Sequence, residues 1–118
     1  MKIDNVLASV AVKDLKAATV WYEKLFQRPA DSTPMPEVAE WKFERGGWLQ
    51  VYQLPGRAGG CSCTLAVSDI DEVIAHLQSL GIDTNERSSG AKVKTVMITD
   101  PDGNHLAFAE AIDQRMAR

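Results

Sequence analysis

The sequence predicts an α+β fold: two β-α-β-β-β modules forming a curved mixed sheet around a cleft. Three observations point to it. A run of small and β-branched residues ending in Ala-Val-x-Asp-(Leu/Ile) occurs twice, at 6–15 and 61–70, and such self-similarity marks a repeated structural unit. Each run is followed by an apolar stripe at helical spacing. Each half then closes with two extended pieces joined by residues suited to tight turns.

The first strand is the run Val6-Leu7-Ala8-Ser9-Val10-Ala11-Val12, whose alternating faces suit a half-buried strand. Asp14 caps the helix that follows. Leu15, Ala18, Tyr22, Leu25 and Phe26 share one face of that helix, and Pro29 would break it. A short extended piece at 29–33, a loop over Asp31 to Pro36, and strands at 38–45 and 48–54 complete the first half, with Gly46-Gly47 at the hairpin. The linker is Pro55-Gly56-Arg57-Ala58-Gly59-Gly60.

The second half repeats the order. Cys61 to Val67 forms a strand and Asp69 caps a helix whose stripe is Ile70, Val73, Ile74, Leu77 and Leu80. Gly81 supplies a left-handed terminus. A short extended piece at 82–86, a loop at 85–91, and strands at 93–99 and 104–110 follow, joined by Asp100-Pro101-Asp102-Gly103. The modules therefore span about 1–54 and 61–111 of one domain, with a polar tail at 112–118.

Composition narrows the chemistry. The chain has 118 residues, two His, two Cys and a formal net charge of −3, which gives no basic footprint for nucleic acid. No apolar run reaches the roughly 20 residues that span a bilayer, and the N-terminus lacks the regions of a signal peptide. A cytoplasmic protein with reduced thiols is expected, because Cys61 and Cys63 would sit near the upper Cα separation for a disulfide. No Gly-rich phosphate loop, Ser-His-Asp order or H-E-x-x-H is present.

Strand alternation assigns faces. Val6, Ala8, Val10, Val12, Leu49, Val51, Cys61, Cys63, Leu65, Val67, Leu106 and Phe108 suit the helix-packed side. The opposite faces carry Leu7, Ser9 and Ala11; Trp48, Gln50 and Tyr52; Ser62, Thr64 and Ala66; and His105, Ala107 and Ala109. Small residues leave volume, Trp48 and Tyr52 supply flat walls with polar tips, and Gln50, Ser62 and Thr64 can orient a ligand. This is the pattern of a small-molecule pocket, although Trp48 and Tyr52 equally suit a dimer interface. Trp21 and Trp41 read as packing residues, His105 as a rim residue beside a turn, and His76 as solvent-exposed.

The residues Val12-Lys13-Asp14-Leu15, Trp21-Tyr22-Glu23-Lys24-Leu25-Phe26, Leu65-Ala66-Val67-Ser68-Asp69-Ile70, Leu80-Gly81 and Asp100-Pro101-Asp102-Gly103-Asn104 resemble the glyoxalase/bleomycin resistance/dioxygenase family, the vicinal oxygen chelate superfamily. The resemblance runs to about Ala111. Gln27 departs from it, standing where that family usually has Gly. The resemblance implies metal ligands at four positions, occupied here by Leu7, Gln50, Ser62 and Ala107. Two of these are hydrocarbons, a neutral serine hydroxyl is a poor ligand, and one amide cannot hold a divalent cation. The resemblance also implies a homodimer.

The expected function is therefore metal-free and cofactor-free binding of an aromatic or amphipathic small molecule. The candidate ligand-binding residues are Leu7, Ser9, Trp48, Gln50, Tyr52, Ser62, Thr64, His105 and Ala107, with no catalytic or metal-ligating residue assigned. The alternative is a metal-dependent lyase, isomerase or dioxygenase with non-standard ligands drawn from His105, Glu110, or Glu40 with Gln50. A metal-free acid/base enzyme using Tyr52 or His105 and a partner-binding module are the remaining readings.

Overall fold

The computed structural model describes residues 1–113; the part of the expected tail beyond them lies outside the described residues. Within them the β-α-β-β-β order is realised twice. The first copy is β1 (Leu7–Val12), α1 (Leu15–Phe26), β2 (Ser32–Met35), β3 (Val38–Lys42) and β4 (Trp48–Gln53). The second is β5 (Ser62–Ala66), α2 (Ile70–Ser79), β6 (Arg87–Ser89), β7 (Val93–Thr99) and β8 (His105–Ala111). Each copy makes a mixed four-stranded sheet, ordered β1-β4-β3-β2 and β5-β8-β7-β6. In each, the first pair in that order is parallel and the other two are antiparallel. No helix among the described residues is long and apolar enough to cross a membrane.

Both helices start as the sequence predicts. Asp14 accepts from the Lys16 N–H at 3.1 Å, and Asp69 accepts from Asp71 and Glu72 at 3.1 and 3.2 Å. A second device serves the first helical N–H of each: Gln53 Oε1 accepts from Leu15 at 2.9 Å and Glu110 Oε1 from Ile70 at 2.8 Å. Side chains from the last strand of each module thus satisfy donors that no helical carbonyl can reach.

Helix α1 buries Leu15, Ala18, Tyr22 and Leu25 on β3 and β4. Trp41 is fully buried there, with the Tyr22 and Phe26 rings 6.1 and 5.6 Å away. Its indole N–H donates to the Arg28 carbonyl at 3.1 Å, so the ring enters the core with its polar atom satisfied. Helix α2 lies on β7 and β8 and buries Ile70 and Leu77. Each such side chain contributes about 1.5–3 kcal/mol by leaving water.

Several expectations need correction. Val6 is 75% exposed and precedes β1, because the strand begins only where β4 offers a partner, at Trp48. The short strands fall at 32–35 and 87–89, within segments expected to be loops, rather than at 29–33 and 82–86. Their polar sequences carry no alternation signal; pairing with Glu40 and with Lys94 to Val96 sets them. Strand β3 stops at Lys42 because a turn closes with Phe43 N–H to Gly47 O and Gly46 N–H to Phe43 O. The linker contains a short 3-10 turn, Pro55–Arg57. Cys61, Cys63, Leu65, Val67 and His76 are half-buried, and neither cysteine is in a disulfide.

The chain resolves into two compact units. One is Met1–Cys61 with Pro101–Asn104; the other is Ser62–Asp100 with, among the described residues, 105–113. The turn between β7 and β8 therefore belongs with the first unit, and Asn104 is the reason. Its side chain is fully buried. Nδ2 donates to the Ala11 carbonyl at 2.8 Å, and Oδ1 accepts from the Gly59 and Cys61 N–H groups, both at 3.0 Å. Ala11 lies on β1, an edge strand, and its N–H donates to Cys61 Sγ at 3.3 Å. Side chains thus cover backbone groups that an edge would leave unpaired. The approach is close: a Cβ on Gly59, at φ +95°, would stand 2.6 Å from the Asp102 carbonyl.

Two local features carry consequences. Gln27 ends α1 in the left-handed conformation, φ 60°, which a residue with a Cβ adopts at a cost. Beside it, Asp31 Oδ2 accepts from the Arg28 guanidinium and the Lys42 N–H, each at 2.6 Å, and Arg28 also bonds the Lys42 carbonyl. The Arg28 hydrogen bond, then that from Lys42, holds the Asp31 carboxyl below its ordinary range.

Replacing Asn104 by Ala strands one buried carbonyl and two N–H groups and should lower unfolding free energy by about 3 kcal/mol, measured by denaturant titration; a change below about 0.5 kcal/mol contradicts the clamp. Gln27→Gly should raise the unfolding free energy by about 0.5–1 kcal/mol in the same titration, the left-handed strain relieved exceeding the added freedom of the unfolded chain. Because Asp31 has a lowered folded-state value, its stabilisation is present above the unfolded carboxylate range, about pH 4, and is lost as pH falls through the folded one. Wild type should exceed Asp31→Asn in melting temperature near neutrality, and the two should converge in acid.

Candidate functional site

The register of the first sheet sets out its helix-free face row by row. Leu49, Val51, Ala39 and Trp41 are buried on the α1 side, so their neighbours point the other way. One row is Leu7, Trp48 and Lys42; the next is Ser9, Gln50, Glu40 and Ser32; the third is Ala11, Tyr52, Val38 and Met35. Five sequence-predicted positions, Leu7, Ser9, Trp48, Gln50 and Tyr52, are thereby brought onto one surface. Trp48, Gln50 and Tyr52 are half-buried, whereas Leu7 and Ser9 are exposed.

The middle row is a continuous hydrogen-bonded chain across all four strands. Ser9 Oγ donates to Gln50 Oε1 at 3.1 Å. Gln50 Nε2 donates to Glu40 Oε2 at 2.5 Å. Ser32 Oγ donates to Glu40 Oε1 at 3.0 Å. The polarity of this chain follows from one residue. A carboxylate only accepts, so Gln50 must turn its amide nitrogen toward Glu40; its oxygen then faces Ser9, which must donate. In the adjacent row the Lys42 ammonium stands 5.7 Å from the centroid of the Trp48 ring, within cation–π range.

The second sheet, taken by itself, is arranged alike but carries different chemistry. Its corresponding rows are Ser62, His105 and Thr99; Thr64, Ala107 and Met97; and Ala66, Ala109, Thr95 and Ser88. Ser62, Thr64, His105 and Ala107 thus share one face. Ser88 and Thr95 hydroxyls bond at 2.7 Å. Ser62, Thr64 and His105 are exposed, and Met97 and Ala107 are half-buried.

Glu40 was legible only as a stray ligand candidate, and Ser32 and Lys42 were missed. Counting alternation back from the β3–β4 hairpin places Lys42 opposite Trp48 and Glu40 opposite Gln50; Ser32 gives no such signal, because an irregularity shifts its strand's register. Glu110, the other carboxylate candidate, is engaged at the start of α2.

The donor set does not fit the divalent metal that the fold's enzymes would require. Leu7 and Ala107 present only carbon, and both polar ends of Gln50 are engaged by Ser9 and Glu40. Among the described residues, no three His, Cys, Asp or Glu side chains gather around a common point. A separate open depression lined by Arg28, Asp31, Lys42, Phe43 and Glu44 is the surface of the Asp31 knot, whose polar atoms serve backbone and each other.

No protein-family model matches the chain, and no curated protein matches it. Solved structures do. A glyoxalase/bleomycin resistance protein from Catenulispora acidiphila is 34% identical, over 91% of this chain and 97% of that one, with a TM-score of 0.82. A bleomycin-binding protein solved with bleomycin shares the fold at 23% identity, over 92% and 98% of the two chains, TM-score 0.68. A lactoylglutathione lyase from Agrobacterium tumefaciens does so at 17% identity, over 93% and 95%, TM-score 0.75. With its repeated module, its mixed sheets and a relative of that identity along nearly its whole length, this chain belongs to the glyoxalase/bleomycin resistance protein family.

Proposed function

We propose that this protein binds a small aromatic or amphipathic molecule on its helix-free sheet faces, without a metal ion. The observation that carries the reading is the chain Ser9–Gln50–Glu40–Ser32, flanked by Trp48 and Tyr52 in the neighbouring rows. Flat walls on either side of prearranged polar groups supply contact area and orientation, the two needs of a small-molecule site. Leu7 adds apolar surface. Ser62, Thr64, His105 and Ala107 form a second candidate surface of hydroxyls, an imidazole and a methyl group. A family fold that holds bleomycin in one of its proteins supports small-molecule binding as a class and says nothing of which molecule this chain takes.

The reading differs from that of a metal-dependent lyase, isomerase or dioxygenase in its demand on the side chains. Such an enzyme needs several lone pairs converging on one ion, whereas here the amide and the carboxylate face each other.

A thermal-shift screen with aromatic and amphipathic compounds should return hits whose stabilisation grows with ligand concentration. Trp48→Ala and Tyr52→Ala should weaken binding of such hits about tenfold or more, as loss of an aromatic wall does at other binding surfaces. A stoichiometric divalent metal in protein purified without chelator, lost in Gln50→Ala, would overturn the proposal.

A further inference from the structure

We infer that Glu40 makes the first sheet's face selective for a ligand bearing a cationic nitrogen group: an ammonium, amidinium or guanidinium. This rests on the ligand-binding reading above and specifies the ligand's charge. The inference comes from an inventory of hydrogen-bonding capacity in the middle row. The Ser9 O–H is directed at Gln50, the Ser32 O–H at Glu40, and one Gln50 N–H at Glu40. What the row still offers is one amide N–H against the remaining lone pairs of two hydroxyls and both carboxylate oxygens. A ligand group placed there must be rich in donors.

Charge separates a cation from a neutral donor. Among the described residues Glu40 forms no ion pair, and the Arg28 guanidinium is taken by Asp31. The nearest candidate along its own strand and face, Lys42, holds its ammonium over the Trp48 ring instead. That contact also shows that a cation can reach this ring face. A ligand cation over the row would therefore meet a half-buried carboxylate whose existing donors are neutral, and charge-assisted bonds of this kind are about twice as strong as neutral ones.

The carboxylate is not a requirement of the module. At the corresponding place in the second sheet, Thr64, Ala107 and Met97 form the row, and the same architecture stands with a thioether where the first has Glu40. A sheet of this architecture therefore forms without a carboxylate at this place.

The test uses isosteric pairs: benzamidine against benzamide, and tryptamine against tryptophol and indoleacetate. Binding is followed by chemical-shift titration of the isotope-labelled full chain. The amidine and the amine should bind about tenfold more tightly than their neutral partners, with shifts at Ser9, Ser32, Glu40 and Gln50. In Glu40→Gln the ratio of cation to neutral affinity should fall to about twofold or less, since the substitution removes the charge at nearly constant volume; a ratio that stays near tenfold overturns the assignment to Glu40. Glu40→Met, which places in the first sheet the residue type found at the corresponding place of the second, serves if the amide variant does not fold, and should also lose the preference. Equal binding of cation and neutral partner by wild type, or a preference for indoleacetate, overturns the charge assignment and leaves small-molecule binding standing. Failure of every probe at millimolar concentration overturns both.

Discussion

The carboxamide of Asn104 acts as a single peptide unit inserted beside an edge strand. It donates to Ala11 and accepts from Gly59 and Cys61, so three backbone groups from two separate stretches converge on one fully buried side chain. β1 pairs with β4 on one side only, and along its buried end, Val10 to Val12, the backbone groups on the other side need partners of their own. Asn104 and the Cys61 thiol do this at Ala11. The position of the Pro101–Asn104 turn within the first unit follows from these bonds, as does the glycine at 59, where any side chain would meet the Asp102 carbonyl. The Lys13 N–H donates to Asp102 Oδ2 at 3.2 Å, which brings a second residue of the turn onto the end of β1.

This constraint is what holds the candidate site's geometry. The row Ser9–Gln50–Glu40–Ser32 is a property of register: shift β1 by one residue and Ser9 turns to the helix side. Tying down Ala11, two residues along the same strand, keeps that register at the edge where sheet pairing alone is one-sided. The helix contributes from behind, through Trp41, Leu49 and Val51, which are buried beneath the row's own backbone. The polar chain adds specificity more than stability, since its members are half-buried or exposed and such bonds contribute modestly in net terms.

The two modules illustrate how one architecture separates scaffold from chemistry. The helix caps and the last-strand side chains that serve them recur, with Asp14 matched by Asp69 and Gln53 by Glu110. The helix-free rows do not recur: an amide and a carboxylate in the first sheet stand where the second has alanine and methionine. Positions that satisfy backbone donors are constrained by geometry common to both copies. Positions on the open face are not, and this is where the copies diverge.

The repeat, both helices with their caps, the long strands and their inward and outward faces could be read from sequence, because hydrophobic period, capping residues and turn residues are local signals. The family resemblance was legible for the same reason. The short polar strands β2 and β6, the exposure of Val6 and the early end of β3 were not, because each depends on where a distant partner strand begins or ends. Asn104 stood within a recognisable motif, yet its partners are far from it along the chain, and only the folded chain shows that it closes an edge. The same holds for Glu40. As a residue it was one carboxylate among many; its place between Gln50 and Ser32 comes from three strands in register, a long-range arrangement that no local pattern encodes.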